Sequence, residues 1–205
     1  MIDTTARISE VFNEDCMVGM ARYPDKWFDL AVVDPPYGIG ISSNPFRQKH
    51  KKTQWDNETP NEAYFRELIR VSKNQIIWGG NYFDLPPSQG FLIWDKGQPE
   101  DFSSAMCELA WSSIQSPAKV FYRRVVMDKG KIHPTQKPIE LYSWIYGLCL
   151  PNGGKVIDTH LGSGSNRIAA NKAGNIDFVG FELDKDYYEA QEKRWKAFIS
   201  QTRLF

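Results

Sequence analysis

The sequence has few of the features that mark a secreted or membrane-embedded protein. It contains three cysteines in 205 residues, and this odd, scattered set favours a reducing compartment over a disulfide scaffold. No apolar run approaches the length of a membrane span, and the N-terminal segment MIDTTARISE lacks the long apolar region of a signal peptide. We therefore expect a cytoplasmic protein without a membrane partner.

Net charge is also lacking, since 25 Lys and Arg residues balance 25 Asp and Glu residues. This balance excludes a protein that is basic over its whole surface, but it allows a local basic face. The three histidines and the three cysteines show no spacing typical of metal ligands, so we predict no metal site.

The sequence does contain a regular alternation of short apolar runs and helical patterns. Runs rich in Val, Ile and Phe predict seven strands, at 7–12, 28–33, 75–78, 91–94, 119–122, 155–158 and 177–182. One helix is predicted to follow a capping box at Thr59, with Pro60 at its first position, and another to begin at Pro138. Two more are predicted at 166–173 and at about 186–198. This alternation predicts an α/β sandwich with a mostly parallel sheet.

The strand at 28–33 ends abruptly in the stretch VVDPPYGIG, residues 32–40. Proline donates no hydrogen bond to a neighbouring strand, so Pro35 and Pro36 must end the strand. A purely structural turn would explain this stretch. A site that holds the Asp34 carboxylate and the Tyr37 ring at fixed positions would also explain it.

A second distinctive stretch, residues 158–184, reads DTHLGSGSNRIAANKAGNIDFVGFELD. A predicted strand ends at Asp158, Gly162 and Gly164 follow, and then a helix begins. Glycines let a ligand approach the backbone, and Glu182 at the tip of the next strand is placed to bind ribose hydroxyls. The stretch is either an ordinary turn or a nucleoside-cofactor site. Because the third glycine of G-x-G-x-x-G is missing, a nicotinamide cofactor is disfavoured.

Together the two stretches resemble the amino-group DNA methyltransferases, which methylate N6 of adenine or N4 of cytosine with S-adenosyl-L-methionine. The family's catalytic tetrapeptide DPPY is matched at 34–37, and its cofactor loop, commonly DPFAGSGT, at 158–165. HPTQKP at 133–138 and NEDC at 13–16 resemble two further family motifs, so the resemblance covers nearly the whole chain. Thr159 and His160 stand where the family usually has Pro-Phe. We therefore expect the contacts to the methionine end of the cofactor to differ from those of the family.

The resemblance implies one Rossmann-like methyltransferase domain over residues 1–205, with helices on both faces of a seven-stranded sheet. The catalytic motif precedes the cofactor loop, as in the beta class of the family. The fold is therefore expected to be circularly permuted relative to members that begin with the cofactor loop.

The chemistry explains why the corner at 34–37 would be catalytic. An exocyclic amine is a poor nucleophile because its lone pair is delocalised into the ring. Asp34 and, by resemblance, the carbonyl of Pro35 would accept hydrogen bonds from the amine and favour its localised form. Pro35 and Pro36 fix the backbone so that little reorganisation is needed, and Tyr37 would stack against the base.

The resemblance also implies the cofactor contacts. Asp158 and the turn of Gly162, Ser163, Gly164 and Ser165 would lie beneath the methionine moiety. Glu182 would bind the ribose hydroxyls, and Asp15 would lie near the adenine amine. Lys137 could pair with the methionine carboxylate or be only a surface lysine at the start of a helix.

The implied partner is double-stranded DNA with the target base flipped out of the duplex, since the amine is otherwise paired and stacked. The polar segment 38–57 is predicted to be a mobile loop that touches phosphates through Arg47, Lys49, Lys51 and Lys52, although it could be only solvated. A second basic cluster could flank the DNA or form a solvated edge; it consists of Arg123, Arg124, Lys129 and Lys131.

Adenine N6 is predicted over cytosine N4, because DPPY is the commoner family motif at adenine and SPPY at cytosine N4.

Methylation at carbon 5 of cytosine is excluded, because that reaction needs a nucleophilic cysteine, normally in a Pro-Cys dipeptide, and none of the twelve prolines precedes a cysteine. RNA and a glutamine amide are weaker alternatives. A non-catalytic nucleic-acid-binding protein on a decayed fold is kept open by Thr159 and His160. The resemblance further implies a bacterial or phage-infected cell and allows a homodimer.

Overall fold

The computed structural model describes residues 7–39, 58–101, 105–124 and 130–202. The elements are, in chain order, β1 (Ser9–Phe12), α1 (Cys16–Met20), β2 (Phe28–Val33), α2 (Glu62–Val71), β3 (Ser72–Trp78), a 3-10 turn (Gly80–Tyr82), β4 (Phe91–Asp95), β5 (Cys107–Ser112), β6 (Lys119–Tyr122), α3 (Ile139–Cys149), β7 (Gly154–Asp158), α4 (Ser165–Ala173), β8 (Ile176–Phe181) and α5 (Lys185–Thr202).

The strands of these ranges form one sheet in the order β1-β8-β7-β2-β3-β5-β4-β6. β5 is antiparallel to both of its neighbours, β3 and β4, and the other pairs are parallel. The carboxyl ends of all strands except β5 therefore lie along one edge of the sheet. The prediction of a mostly parallel α/β sheet is confirmed.

The predicted number of strands was wrong, because the described residues form eight strands rather than seven. The additional strand is β5, whose sequence CELAWS contains a charged residue and no β-branched residue. Its strand conformation comes from pairing on both sides, with Ile77 opposite Trp111 toward β3 and Leu92 opposite Ala110 toward β4. Local β-propensity gave no sign of this pairing.

Two apolar cores cover the two faces of the sheet. On one face Val32, Ile76 and Trp78 pack with Leu141 of α3 and Ala169 of α4. The opposite core contains Ala31, Val33 and Ile77 of the sheet with Leu68 of α2 and Met20 of α1. Helices thus lie on both faces, as the resemblance implied.

The predicted start of α2 needs a correction. The N-cap is Asn61 rather than Thr59, and its side chain accepts a hydrogen bond from the Tyr64 N–H at 3.1 Å. Asparagine is a better N-cap than threonine, and this start leaves Pro60 outside the helix. The end of α4 is as predicted, since Gly174 follows it with φ of 76°.

The catalytic-motif strand β2 comes before the cofactor-loop strand β7 in the chain, yet the two are neighbours in the sheet. This is the connectivity that a circular permutation requires. Within the described ranges, none of the helices combines the length and the apolar character needed to cross a membrane.

Candidate active site

Three acidic residues meet at the carboxyl edge of the sheet. Asp34 directly follows β2, Asp158 ends β7, and Glu182 directly follows β8. These strands are consecutive in the sheet, in the order β8-β7-β2. The structure therefore brings the predicted catalytic motif and the predicted cofactor loop together at one edge, where ligands bind in open α/β sheets.

The corner at 34–37 holds the Asp34 carboxylate between two donors. The Tyr37 hydroxyl donates to Oδ1 at 2.6 Å, and the Lys137 ammonium donates to Oδ2. Pro35 is buried and Pro36 is half-buried. Each carboxylate oxygen has two acceptor sites, so each keeps one for a further donor.

The Tyr37 ring is itself fixed by aromatic neighbours. It stacks on Tyr82 with ring centroids 4.9 Å apart and an interplanar angle of 13°, and the edge of Phe83 lies 6.1 Å away. Gly79, with φ of 71°, lies directly against the ring. The corner is thus held in place by the residues that follow β3.

Lys137 has a different environment from the predicted one. Its ammonium is paired with Asp34 and, at 3.1 Å, with Glu108 of β5, rather than with a residue of the cofactor loop. Burial disfavours the charge of Lys137, but the carboxylates of Asp34 and Glu108 outweigh burial and raise its pKa. The surface-lysine alternative is wrong, because the side chain is 2% exposed.

Glu108 is paired a second time, with Lys96 at 2.6 Å, directly after β4. Burial alone would raise the pKa of Glu108, but Lys137 and Lys96 together lower it to about 2. For Asp34, burial outweighs Lys137 and raises the pKa of the carboxyl. The corner therefore adjoins a buried row of alternating charges.

Asp158 is 2% exposed and is held by the cofactor loop that follows it. Its carboxylate accepts from the Asn166 amide at 2.9 Å and from the His160 N–H at 3.1 Å. Burial raises the pKa of Asp158 to about 7, although these hydrogen bonds oppose the shift. A carboxyl group in this state gains most from a cationic ligand.

The turn at 162–165 has the left-handed backbone that its glycines permit. Gly162 has φ of 52° and Gly164 has φ of 71°, and the latter is the N-cap of α4. Ser163 and Ser165 hydrogen-bond each other through their hydroxyls at 3.1 Å, and Arg194 of α5 donates to the Ser163 carbonyl at 2.8 Å. The turn is therefore held in place by the hydrogen bond from Arg194 of α5.

Glu182 is tied to the same turn. It accepts from the Gly162 N–H at 2.8 Å and from the Asp184 N–H at 2.9 Å, and burial raises its pKa to about 6. Asp15 follows β1, the edge strand beside β8, and caps α1 by accepting from the Met17 N–H at 2.7 Å. The predicted ribose and adenine residues thus follow adjacent strands.

The two residues that depart from the family pattern form hydrogen bonds with each other. The Thr159 hydroxyl hydrogen-bonds the Tyr64 hydroxyl at 2.6 Å and the His160 imidazole at 2.9 Å. Burial lowers the pKa of His160 to about 4, so its ring is neutral at physiological pH. Tyr64 also packs edge-on against this ring at 5.4 Å. The departure is therefore accommodated without an unpaired charge.

The predicted DNA contacts Arg47, Lys49, Lys51 and Lys52 lie outside the described residues, as does Lys129 of the second cluster. In that cluster, Arg123 pairs with Glu140 of α3 at 2.5 Å, and Arg124 donates to the Tyr122 hydroxyl at 3.3 Å.

Sequence reasoning missed Glu108, Lys96 and Tyr82. One signal for Glu108 was available, since a single carboxylate interrupts the otherwise uncharged stretch MCELAW. Lys96 comes two residues after the apolar run FLIW, a position where polar residues reach the functional edge of a parallel sheet. Nothing in the local sequence indicates that Tyr82 stacks on Tyr37.

Comparison with known proteins agrees with this geometry. The DNA methylase family model (N6_N4_Mtase) matches residues 77–193. The type II methyltransferase M.ScaI of Streptomyces caespitosus is 34% identical over 252 aligned positions, which cover 91% of this chain and 81% of that protein. The chain belongs to the amino-group DNA methyltransferase family, whose members act on N6 of adenine or N4 of cytosine.

Solved structures show the same fold. TTHA0409 of Thermus thermophilus, crystallised with S-adenosyl-L-methionine, is 16% identical and has a TM-score of 0.58; the match covers 93% of this chain and 94% of that one. The PvuII DNA methyltransferase, which is cytosine-N4-specific, is 13% identical and has a TM-score of 0.64, with 92% and 86% of the chains covered. At these identities the likeness concerns the fold alone.

Proposed function

We propose that this protein transfers a methyl group from S-adenosyl-L-methionine to N6 of adenine in double-stranded DNA. The observation that carries the proposal is the meeting of the intact DPPY corner with the acidic and glycine-rich turn residues at one sheet edge. Asp34 directly follows β2 there, and Asp158 ends the neighbouring strand β7. The runner-up is the same reaction at cytosine N4, and adenine is favoured by the aspartate of DPPY.

The cofactor loop fits the charge and the shape of S-adenosyl-L-methionine. Asp158 is a buried carboxyl group that no cation in its described contacts neutralises, and the cofactor bears a sulfonium and an ammonium group. The left-handed glycines leave the backbone of the turn open to a close ligand. Glu182 and Asp15 are the proposed binding residues at the ribose and adenine ends. Lys137 is not among them, because its ammonium is paired with Asp34 and Glu108.

When bound, the cofactor supplies an already activated methyl group, so the protein's main task is placement. Asp34 accepts a hydrogen bond from the target amine at the acceptor sites that Tyr37 and Lys137 leave open. The carbonyl of Pro35 accepts the second one, and the amine lone pair becomes localised toward the methyl group. Tyr37 presents its ring to the flipped base.

The proposed function is tested by incubating the protein with labelled cofactor and, separately, with DNA, RNA and protein, followed by mass spectrometry of digested products. Label in N6-methyladenine supports the proposal. Label in N4-methylcytosine supports the runner-up instead. Cofactor binding by calorimetry without transfer to DNA, RNA or protein would identify a non-catalytic protein on this fold.

Cofactor affinity is expected to rise with pH. A cationic ligand favours the ionised form of Asp158, whose pKa lies at about 7 without it. Between pH 6 and 7.5 the dissociation constant should therefore fall about fivefold to tenfold. Calorimetry at both pH values measures this change. Asp158→Asn should remove the part of the change centred near pH 7, whereas Glu182 contributes mainly below that.

The predicted basic loop is tested through salt dependence. Changing Lys49, Lys51 and Lys52 together to glutamine should weaken DNA binding and lower the slope of log affinity against log salt by about 2 to 3. The control changes three exposed lysines of α5, namely Lys185, Lys193 and Lys196. Equal slopes in the loop variant and the wild type would make the loop a solvated linker.

A further inference from the structure

Four buried or half-buried charges form a row that begins at the proposed hydrogen-bond acceptor. They alternate in sign, from Asp34 to Lys137, to Glu108 and to Lys96, with exposed side-chain fractions of 16%, 2%, 24% and 13%. Each comes from a different part of the chain: the end of β2, the segment before α3, strand β5 and the end of β4. We call these residues the charge row.

Strand pairing and two tryptophan rings of the sheet hold the residues of the charge row in place. Glu108 lies opposite Trp94 in the β4–β5 pairing, and Ala110, two residues on, lies opposite Trp78 of β3. The same two tryptophans lie beneath the lysines, with the Lys137 ammonium 5.2 Å from the Trp78 ring and the Lys96 ammonium 5.4 Å from the Trp94 ring. The rings limit where the ammonium groups can move.

Because Lys137 pairs with Glu108 as well as with Asp34, the charge on the Asp34 carboxylate is less fully neutralised. A buried ammonium that paired with Asp34 alone would bind that carboxylate more tightly and would leave less negative charge on it for another donor. Because Glu108 competes for the same ammonium, Asp34 keeps negative charge for another donor. Lys96 limits this competition, since it neutralises Glu108 from the other side. Unpaired buried charges would be costly, and the alternating row leaves none.

We propose that Glu108 is a positioning residue for methyl transfer: through Lys137 it sets the charge and the placement of Asp34, and Lys96 regulates this effect. The inference rests on the proposed function, because the acceptor role of Asp34 is itself proposed there. Glu108 acts from β5, the strand that local sequence did not indicate, and it lies outside the DPPY, GSGS and HPTQKP motifs.

The test measures the titration of Asp34 directly, by carbon-13 NMR of the aspartate carboxyl groups, with the signal assigned from Asp34→Asn. Glu108→Gln removes a negative charge near Asp34 and frees Lys137 for it, so the Asp34 midpoint should fall by about one pH unit. Lys96→Met leaves Glu108 to pull harder on Lys137, so the midpoint should rise. Opposite signs are the expected result.

Other titratable groups face Asp34, and their titrations must be distinguished from that of Asp34. They are Tyr37 in the corner itself, Asp158 of β7, Tyr64 of α2 and Tyr142 of α3. The tyrosines stay neutral, since burial raises their pKa well above the ordinary value. Asp158 gives its own carboxyl signal, which Asp158→Asn removes.

Transfer kinetics provide the second readout. The plateau kcat of Glu108→Gln should fall about 10-fold, because Asp34 is less well placed and more fully paired. Its acid limb should move to lower pH, and the cofactor dissociation constant should stay within about twofold of the wild type. Glu67→Gln is the matched control, since it loses an ion pair with Arg70 at a similarly exposed site, 21% against 24%, and should show neither change.

Midpoints that do not move, or that move in the same direction in both variants, would overturn the inference. If Glu108→Gln does not fold, the Lys96→Met variant decides alone: a rise in the Asp34 titration midpoint supports the inference, and a fall or no change overturns it. The NMR titration needs neither DNA nor cofactor. A wild type that methylates no nucleoside therefore refutes the proposed function, whereas active protein without the NMR shifts refutes only the role of Glu108.

Discussion

Asp34→Ala is expected to lower the rate of methyl transfer about 10³-fold, whereas the protein still binds S-adenosyl-L-methionine. The reason is that, in the proposed mechanism, Asp34 contributes an acceptor for the amine, and its partners Tyr37 and Lys137 cannot replace an anionic acceptor. Single-turnover kinetics with labelled cofactor measures the rate, and calorimetry measures the binding.

The control for Asp34→Ala is Asp25→Ala, which removes a carboxylate that is 77% exposed and pairs with Arg70. It should transfer at close to the wild-type rate. Removal of Asp34 also takes one partner from the buried Lys137, so Asp34→Asn, which keeps the shape, should be measured as well. Activity within tenfold of the wild type in both Asp34 variants would make the corner a structural turn.

Gly79→Ala is expected to lower kcat about 100-fold, although residue 79 has no polar side chain to lose. An added β-carbon would lie 2.2 Å from Cε1 of Tyr37, and the backbone φ of 71° is strained for any residue with a β-carbon. The Tyr37 ring must move, and its hydrogen bond to Asp34 is then lost. We also expect a loss of stability of about 1–3 kcal/mol.

The matched control for Gly79→Ala is Gly147→Ala on the exposed side of α3, where an added β-carbon has no neighbour within 4 Å among the residues described. Alanine favours a helix more than glycine does, so this variant should be slightly more stable, by about 0.5–1 kcal/mol. Thermal unfolding and transfer rates on both variants complete the test. Full activity in Gly79→Ala would show that the position of the Tyr37 ring is not critical.

The sequence predicted the two motifs well because their constraints are local. Two prolines end β2 whatever surrounds it, and the glycines at 162 and 164 permit a turn that few other residues can form. The order of motifs along the chain also identified the permuted connectivity. The roles of the individual cofactor residues stay predictions, although Asp15, Asp158 and Glu182 all lie at or after strand ends on the expected edge.

The position of the Lys137 side chain could not be predicted from its motif. HPTQKP indicated a cation near the cofactor loop in sequence, but the chain folds so that its ammonium lies between Asp34 and Glu108. Glu108 comes from a strand whose pairing depends on β3 and β4 together. No periodicity in CELAWS could indicate that pairing, because it depends on residues distant in the chain.

The sequence by itself determined the α/β class, the family and the residue types at the proposed catalytic corner and the proposed cofactor turn, because backbone restrictions of proline and glycine act locally. Only the tertiary structure decided which charges meet. Glu108 and Lys96 are linked to Asp34 through Lys137 because β2, β3, β5 and β4 lie side by side. The low polarity of the interior makes each of those charges depend on its neighbours.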